Sequence, residues 1–63
     1  MPTASEVHQF DLDIAPALRD FMCSTMTDDL NDCVDWVCEV FDVNATDWLI
    51  DRIADEFEAF FGV

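Results

Sequence analysis

The chain predicts an all-α fold, a compact bundle of three short amphipathic helices. Three observations point to it. Gly62 is the only glycine and Pro2 and Pro16 are the only prolines, so little interrupts regular backbone. Apolar residues recur at spacings of three and four, the period of one helical face. Each such run also follows an Asp, Asn or Thr able to cap a helix N-terminus.

Residues 7–14 are the least regular. Phe10, Leu12 and Ile14 alternate with Asp11 and Asp13, as in a half-exposed strand, while Val7, Phe10 and Ile14 also share one helical face. A lone strand has no partner within the chain, so this segment is expected to be extended or irregular. As a strand it could pair with its own copy in a dimer.

The first helix, about 14–25, is expected to start at Asp13 as N-cap with Pro16 tolerated in the first turn. Ala17, Leu18, Phe21, Met22 and Thr25 lie on its inner side. The second, about 27–41, begins at Thr27 and gathers Leu30, Cys33, Val34, Val37, Val40 and Phe41 on one arc. The third, about 45–61, begins at Asn44 or Thr46 and ends at Gly62, a residue suited to the left-handed position past a helix end. Leu49, Ile50, Ile53, Ala54, Phe57, Phe60 and Phe61 form its apolar face. The whole chain, 1–63, is expected to be a single small domain.

Composition narrows the function. Fifteen Asp+Glu against two Lys+Arg give 2 − 15 = −13 at pH 7. A disordered acidic tail would lack the six Phe, two Trp and 52% hydrophobic residues found here, so the chain should fold. A direct nucleic-acid binder needs a basic footprint, which two arginines cannot supply. So short a chain has little room to enclose a substrate, and no enzymatic activity is expected. The complementary partner is a basic protein. The first ten residues carry neither a positive nor an apolar leader segment, and no apolar run approaches membrane-spanning length. A soluble, cytoplasmic protein without membrane contact is expected.

Cys23, Cys33 and Cys38 are an odd set, which does not suggest a disulfide framework. With His8 they make a Cys3His zinc set on paper, but they lack the short paired spacings of zinc sites, and they are read as small buried hydrophobes. Calcium is also set aside, because no acid cluster has the glycine that an EF-hand loop requires. Paired acids such as Asp28/Asp29 or Glu56/Glu58 arise by chance in so acidic a chain. No cofactor or metal is expected.

The informative feature is the placement of the acids. Asp28, Asp32, Asp35, Glu39 and Asp42 follow one another by four, three, four and three residues. At 100° per residue they fall within roughly 80°, opposite the apolar arc. Asp47, Asp51, Asp55 and Glu58 repeat the pattern in the third helix, again within roughly 80°. Each stripe sets a carboxylate every ~4.5–6 Å along its axis; a DNA strand carries one charge per ~3.4 Å. Soluble helices ordinarily intersperse lysines, because like charges at i,i+4 are destabilising. Here Arg52 can pair with Glu56 and Arg19 with Asp20 or a neighbour, and the stripes stay unpartnered. A small domain that keeps such self-repulsion is expected to use it. Beside the stripes stand Trp36 and Trp48. Both are read first as boundary core residues, with Trp48 the preferred exposed anchor, since tryptophan is enriched at interface hot spots.

In size, charge and acid patterning, carried by Asp28, Asp32, Asp35, Glu39, Asp47, Asp51 and Asp55, the chain resembles the small acidic inhibitors of bacteriophages and mobile elements. These include DNA-mimic anti-restriction proteins and anti-CRISPR proteins. They share no motif, so the resemblance transfers no residue roles. It implies inhibition by occupying a DNA- or RNA-binding surface of a host defence complex, such as a CRISPR effector complex, in the host cytoplasm. The expected contact residues are Asp28, Asp32, Asp35, Glu39, Asp42, Asp47, Asp51, Asp55, Glu58 and Trp48. Two other readings compete: an adaptor or antitoxin-like protein that neutralises a basic partner, and a halophile-adapted domain that needs salt to fold. Phe60, Phe61 and Val63 are candidates to seal a homodimer interface.

Overall fold

The computed structural model describes residues 2–62. The elements are helix α1 (Ala4–Gln9), a π-helical turn (Phe10–Ile14), α2 (Ala15–Thr25), α3 (Leu30–Phe41) and α4 (Asp47–Phe61). The first three run on without a break, so the fold is three helices whose first is long and carries a π turn at its middle. Among the described residues there is no strand, and no helix is long and apolar enough to cross a membrane.

The extended or irregular N-terminal segment expected for residues 7–14 is therefore corrected to helix. Two local causes decide it. Thr3 and Glu6 form a capping box: Glu6 N–H donates to Thr3 Oγ1 at 3.2 Å and Thr3 N–H donates to Glu6 Oε1 at 3.3 Å. Both orphan donors are thereby satisfied and the helix starts early. The apparent alternation of Phe10, Leu12 and Ile14 does not correspond to one inner face. Phe10 and Ile14 are buried, whereas Leu12 is 61% exposed. The helical i,i+4 pairing wins over the strand period.

Asp13 is likewise not a cap; it sits exposed within the π turn, and α2 follows Ile14 in right-handed helical geometry. Pro16 lacks an N–H, and its ring crowds the carbonyl four residues back. Just upstream of it, the helix widens by one residue, with Ala15 N–H donating to Phe10 O in the i→i−5 pattern of a π turn. The added residue puts Ile14 and Ala15 side by side on the inner face, where Leu18 and Met22 continue the row.

The second helix starts later than expected, at Leu30, because Asp29 takes the N-cap and accepts from Asn31 N–H at 2.9 Å. Thr27 instead organises the turn, accepting from Asp29 N–H at 3.3 Å and donating to Asp32 Oδ2 at 3.1 Å. The third helix starts from Thr46, whose hydroxyl accepts from Leu49 N–H at 3.3 Å, and ends at Gly62 with φ 71°.

One apolar core joins all three helices. Phe10, Leu18, Met22, Cys33, Val37 and Ile53 are fully buried, and among the described residues no polar or charged residue is buried with them. Phe21, Leu30, Trp36, Trp48, Phe57 and Phe61 pack around the edge. Three inner-face assignments are corrected: Thr25 is exposed, and Val40 and Phe60 are 55% and 38% exposed. Each lies at or near a helix end, where the neighbouring helices no longer cover it.

Candidate functional site

The nine acids of the two stripes are all exposed, so the sequence-predicted surface exists as carboxylates facing solvent. Their backbone setting is less uniform than one helical wheel implies. Only Asp32, Asp35 and Glu39 lie on α3 itself. Asp28 precedes the helix, and Asp42 is its C-cap in left-handed geometry at φ 53°, so neither keeps the 100° register. The α4 stripe is intact. Asp47, Asp51, Asp55 and Glu58 lie within the helix and advance by about 16 Å, one carboxylate per ~5.5 Å.

Helix electrostatics separates two kinds of acid here. Glu6, Asp32 and Asp47 stand in first turns, where a negative charge is favoured by the macrodipole. Glu39, Asp42 and Glu58 stand at C-terminal ends, where it is disfavoured, and no basic residue occupies the last turn of α2, α3 or α4. Local helix stability accounts for the first group and opposes the second.

Both arginines are spent on one seam, and their partners differ from those expected. Arg19 of α2 binds Glu56 of α4, with Nε to Oε2 at 3.1 Å and Nη2 to Oε2 at 3.0 Å. Arg52 of α4 reaches back to Asp11 in the π turn rather than along its own helix to Glu56. Its guanidinium lies 5.2 Å from the centre of the Phe10 ring, a cation–π arrangement, and its Nε is buried without a hydrogen-bond partner. Both pairs are partly solvent-exposed, so each contributes little to stability. Their consequence is electrostatic: the two arginines neutralise the seam between the first helix and α4, and among the described residues no stripe acid has an ion-pair partner.

The tryptophans have distinct settings. Trp36 stacks on Phe21 at 4.5 Å between ring centroids and meets Phe41 edge-on at 6.2 Å, a boundary core residue. Trp48 is half-buried, with an edge-to-face contact to Phe10 at 6.0 Å. It also lines a half-open groove of about 300 Å³ between α1 and the α3–α4 connection, with Glu6, Ile14, Asp42, Thr46 and Leu49. Sequence reasoning missed Glu6 and Asp11. The Thr3-x-x-Glu6 capping spacing was a readable signal for the first, while the pairing of Asp11 with Arg52, 41 residues away, had none.

Cys33 is buried as expected, but Cys23 is exposed and Cys38 half-buried, and all three are free thiols. Desolvation, with the Asp32 and Asp29 carboxylates as lesser causes, pushes the Cys33 thiol above its ordinary pKa. Among the described residues no three His, Cys, Asp or Glu side chains converge to hold a metal ion. Of the residues named for a homodimer interface, Phe60 and Phe61 pack against each other at 5.0 Å, and Val63 lies outside the described residues. Comparison with protein-family models, with curated proteins and with solved structures finds no match to the chain.

Proposed function

We propose that this protein is a non-enzymatic inhibitor that mimics nucleic acid and occupies the basic DNA- or RNA-binding surface of a host defence complex. An anti-CRISPR or similar anti-defence protein is the most specific form of that reading. The observation that carries it is the separation of charge. Nine stripe acids stand exposed while both cations are bound elsewhere, to Asp11 and Glu56. A domain selected for solubility alone gains nothing from acids at helix C-termini, where they cost stability. A surface that displaces phosphates from a basic groove needs charge along its whole length, ends included. The α4 stripe supplies four carboxylates in one line, and the α3 acids lie on a packed neighbouring helix. The partner's arginines and lysines would meet carboxylates where they otherwise meet phosphates.

The test is a triple reversal of Asp32, Asp35 and Glu39 to Lys. Partner binding is expected to be lost with helix content by circular dichroism unchanged, and wild-type binding to weaken steeply with added salt. Retained binding by the triple variant excludes α3 as the contact surface. If a basic partner is bound but is not displaced by DNA or RNA, the adaptor reading replaces mimicry.

A further inference from the structure

We propose that the groove beside Trp48 is an anchor site for a single arginine side chain of the basic partner, held flat on the indole between the carboxylates of Glu6 and Asp42. This rests on the reading above only in taking the partner to be basic.

The groove shares Asp42 with the first stripe but sets it beside an aromatic ring. Trp48, with the edges of Ile14 and Leu49, gives it an apolar part, Glu6 and Asp42 stand on its walls, and among the described residues no cation lines it. It lies where the C-terminal end of α3 passes through Asp42 and Val43, so the negative pole of that helix adds to the two carboxylates. A volume of about 300 Å³ is at the lower limit for small-molecule pockets, a size for one long side chain. Charge complementarity therefore selects a cation, and the aromatic lining selects a planar one, because a guanidinium stacks on indole while an ammonium stays hydrated. The molecule already holds one guanidinium in this manner: Arg52 lies over Phe10 and binds the adjacent Asp11. An oriented contact of this type supplies specificity that the carboxylates alone lack.

The experiment is a titration of the full chain with acetyl-Gly-Arg-Gly-amide and with its lysine analogue, followed by 1H–15N NMR. Trp36 and Trp48 give the two indole N–H signals. The arginine peptide is expected to shift the Trp48 indole and the amides of Glu6, Asp42 and Thr46, leaving the Trp36 indole in place. The lysine peptide should bind about 2–5-fold more weakly, the factor that goes with an exposed cation–π contact. Trp48→Leu should lower arginine binding by a similar factor. Since that change also removes a contact with Phe10, Asp42→Asn serves as the second variant, because asparagine tolerates the left-handed position and the fold is kept. It too should weaken binding.

Shifts confined to the stripe acids other than Asp42 with the Trp48 indole unmoved, or equal binding of the two peptides, overturn the proposal. The two readings fail separately. The groove shifts should persist in the Asp32, Asp35 and Glu39 triple reversal, whatever that variant does to partner binding. Loss of partner binding in that variant, with no groove shift in the wild type, would retain mimicry and discard the anchor.

Discussion

Replacing Asp51 and Asp55 of α4 by Asn should make the protein more stable. Both side chains are exposed and form no ion pair with either arginine, and asparagine has nearly the helix propensity of aspartate. The double change removes three like-charge contacts, Asp47–Asp51, Asp51–Asp55 and Asp55–Glu58. At about 0.2–0.5 kcal/mol each, these sum to about 0.6–1.5 kcal/mol. For a domain of this size, about 4–8 °C per kcal/mol gives an increase in Tm of about 2–12 °C. The gain should depend on salt. The molecule measures 30 × 22 × 19 Å, so at ~10 mM salt, where the Debye length is ~30 Å, every charge acts on every other. At ~1 M the length falls to ~3 Å, less than one helical turn, and most of the gain should vanish. Thermal melts by circular dichroism at the two ionic strengths measure this. A lower Tm in the variant, or a gain independent of salt, would refute the view that the stripe is kept at a cost to folding. A wild-type chain unfolded at ~10 mM salt and folded only in molar salt would mark a halophile-adapted domain instead.

Three further outcomes are expected. Met26→Gly should stabilise by about 0.5–1 kcal/mol, read from the denaturant midpoint, because Met26 closes α2 at φ 54° and is 68% exposed. Phe10→Ala should cost about 3–5 kcal/mol, read from the denaturant midpoint, against a total of ~3–9 kcal/mol from about 0.05–0.15 kcal/mol per residue. A loss below about 1 kcal/mol would show that Phe10 is not a centre of the core. Thiol labelling should modify Cys23 rapidly and Cys33 only on unfolding. Because burial holds the Cys33 thiol above its ordinary value of 9.0, the unfolded chain loses that proton first. Stability should therefore fall as pH rises past about 9.0, and a Cys33→Ala control should lessen that fall.

The second and third helices were legible, as about 27–41 and 45–61, because their apolar residues keep the three-four period, although Asp29 and not Thr27 caps the second. Thr46 and Gly62 act where their types place them. The N-terminal third was harder. Its helix depends on a capping box one turn before the apolar row, and a π turn ahead of Pro16 shifts the register by one residue. A fixed 100° wheel cannot carry such a shift. The exposure of Asp32, Asp35, Glu39 and the four α4 acids followed from their position opposite the apolar arc, whereas Asp28 and Asp42 stand outside the helical register. The arginine pairings did not, since Arg52 and Asp11 are brought together only by packing of the first helix on α4. The groove beside Trp48 is also tertiary: Glu6 and Asp42 are 36 positions apart in the chain and meet only around it.

The most direct test of nucleic-acid mimicry is capture followed by competition. The protein is immobilised at low salt and exposed to nuclease-treated lysate of the source or host organism, and the bound complex is then titrated with DNA and RNA. Mimicry predicts that a nucleic-acid-binding complex is retained, that its own nucleic acid displaces it, and that rising salt releases it. Simultaneous binding of this protein and nucleic acid to the captured complex would contradict it.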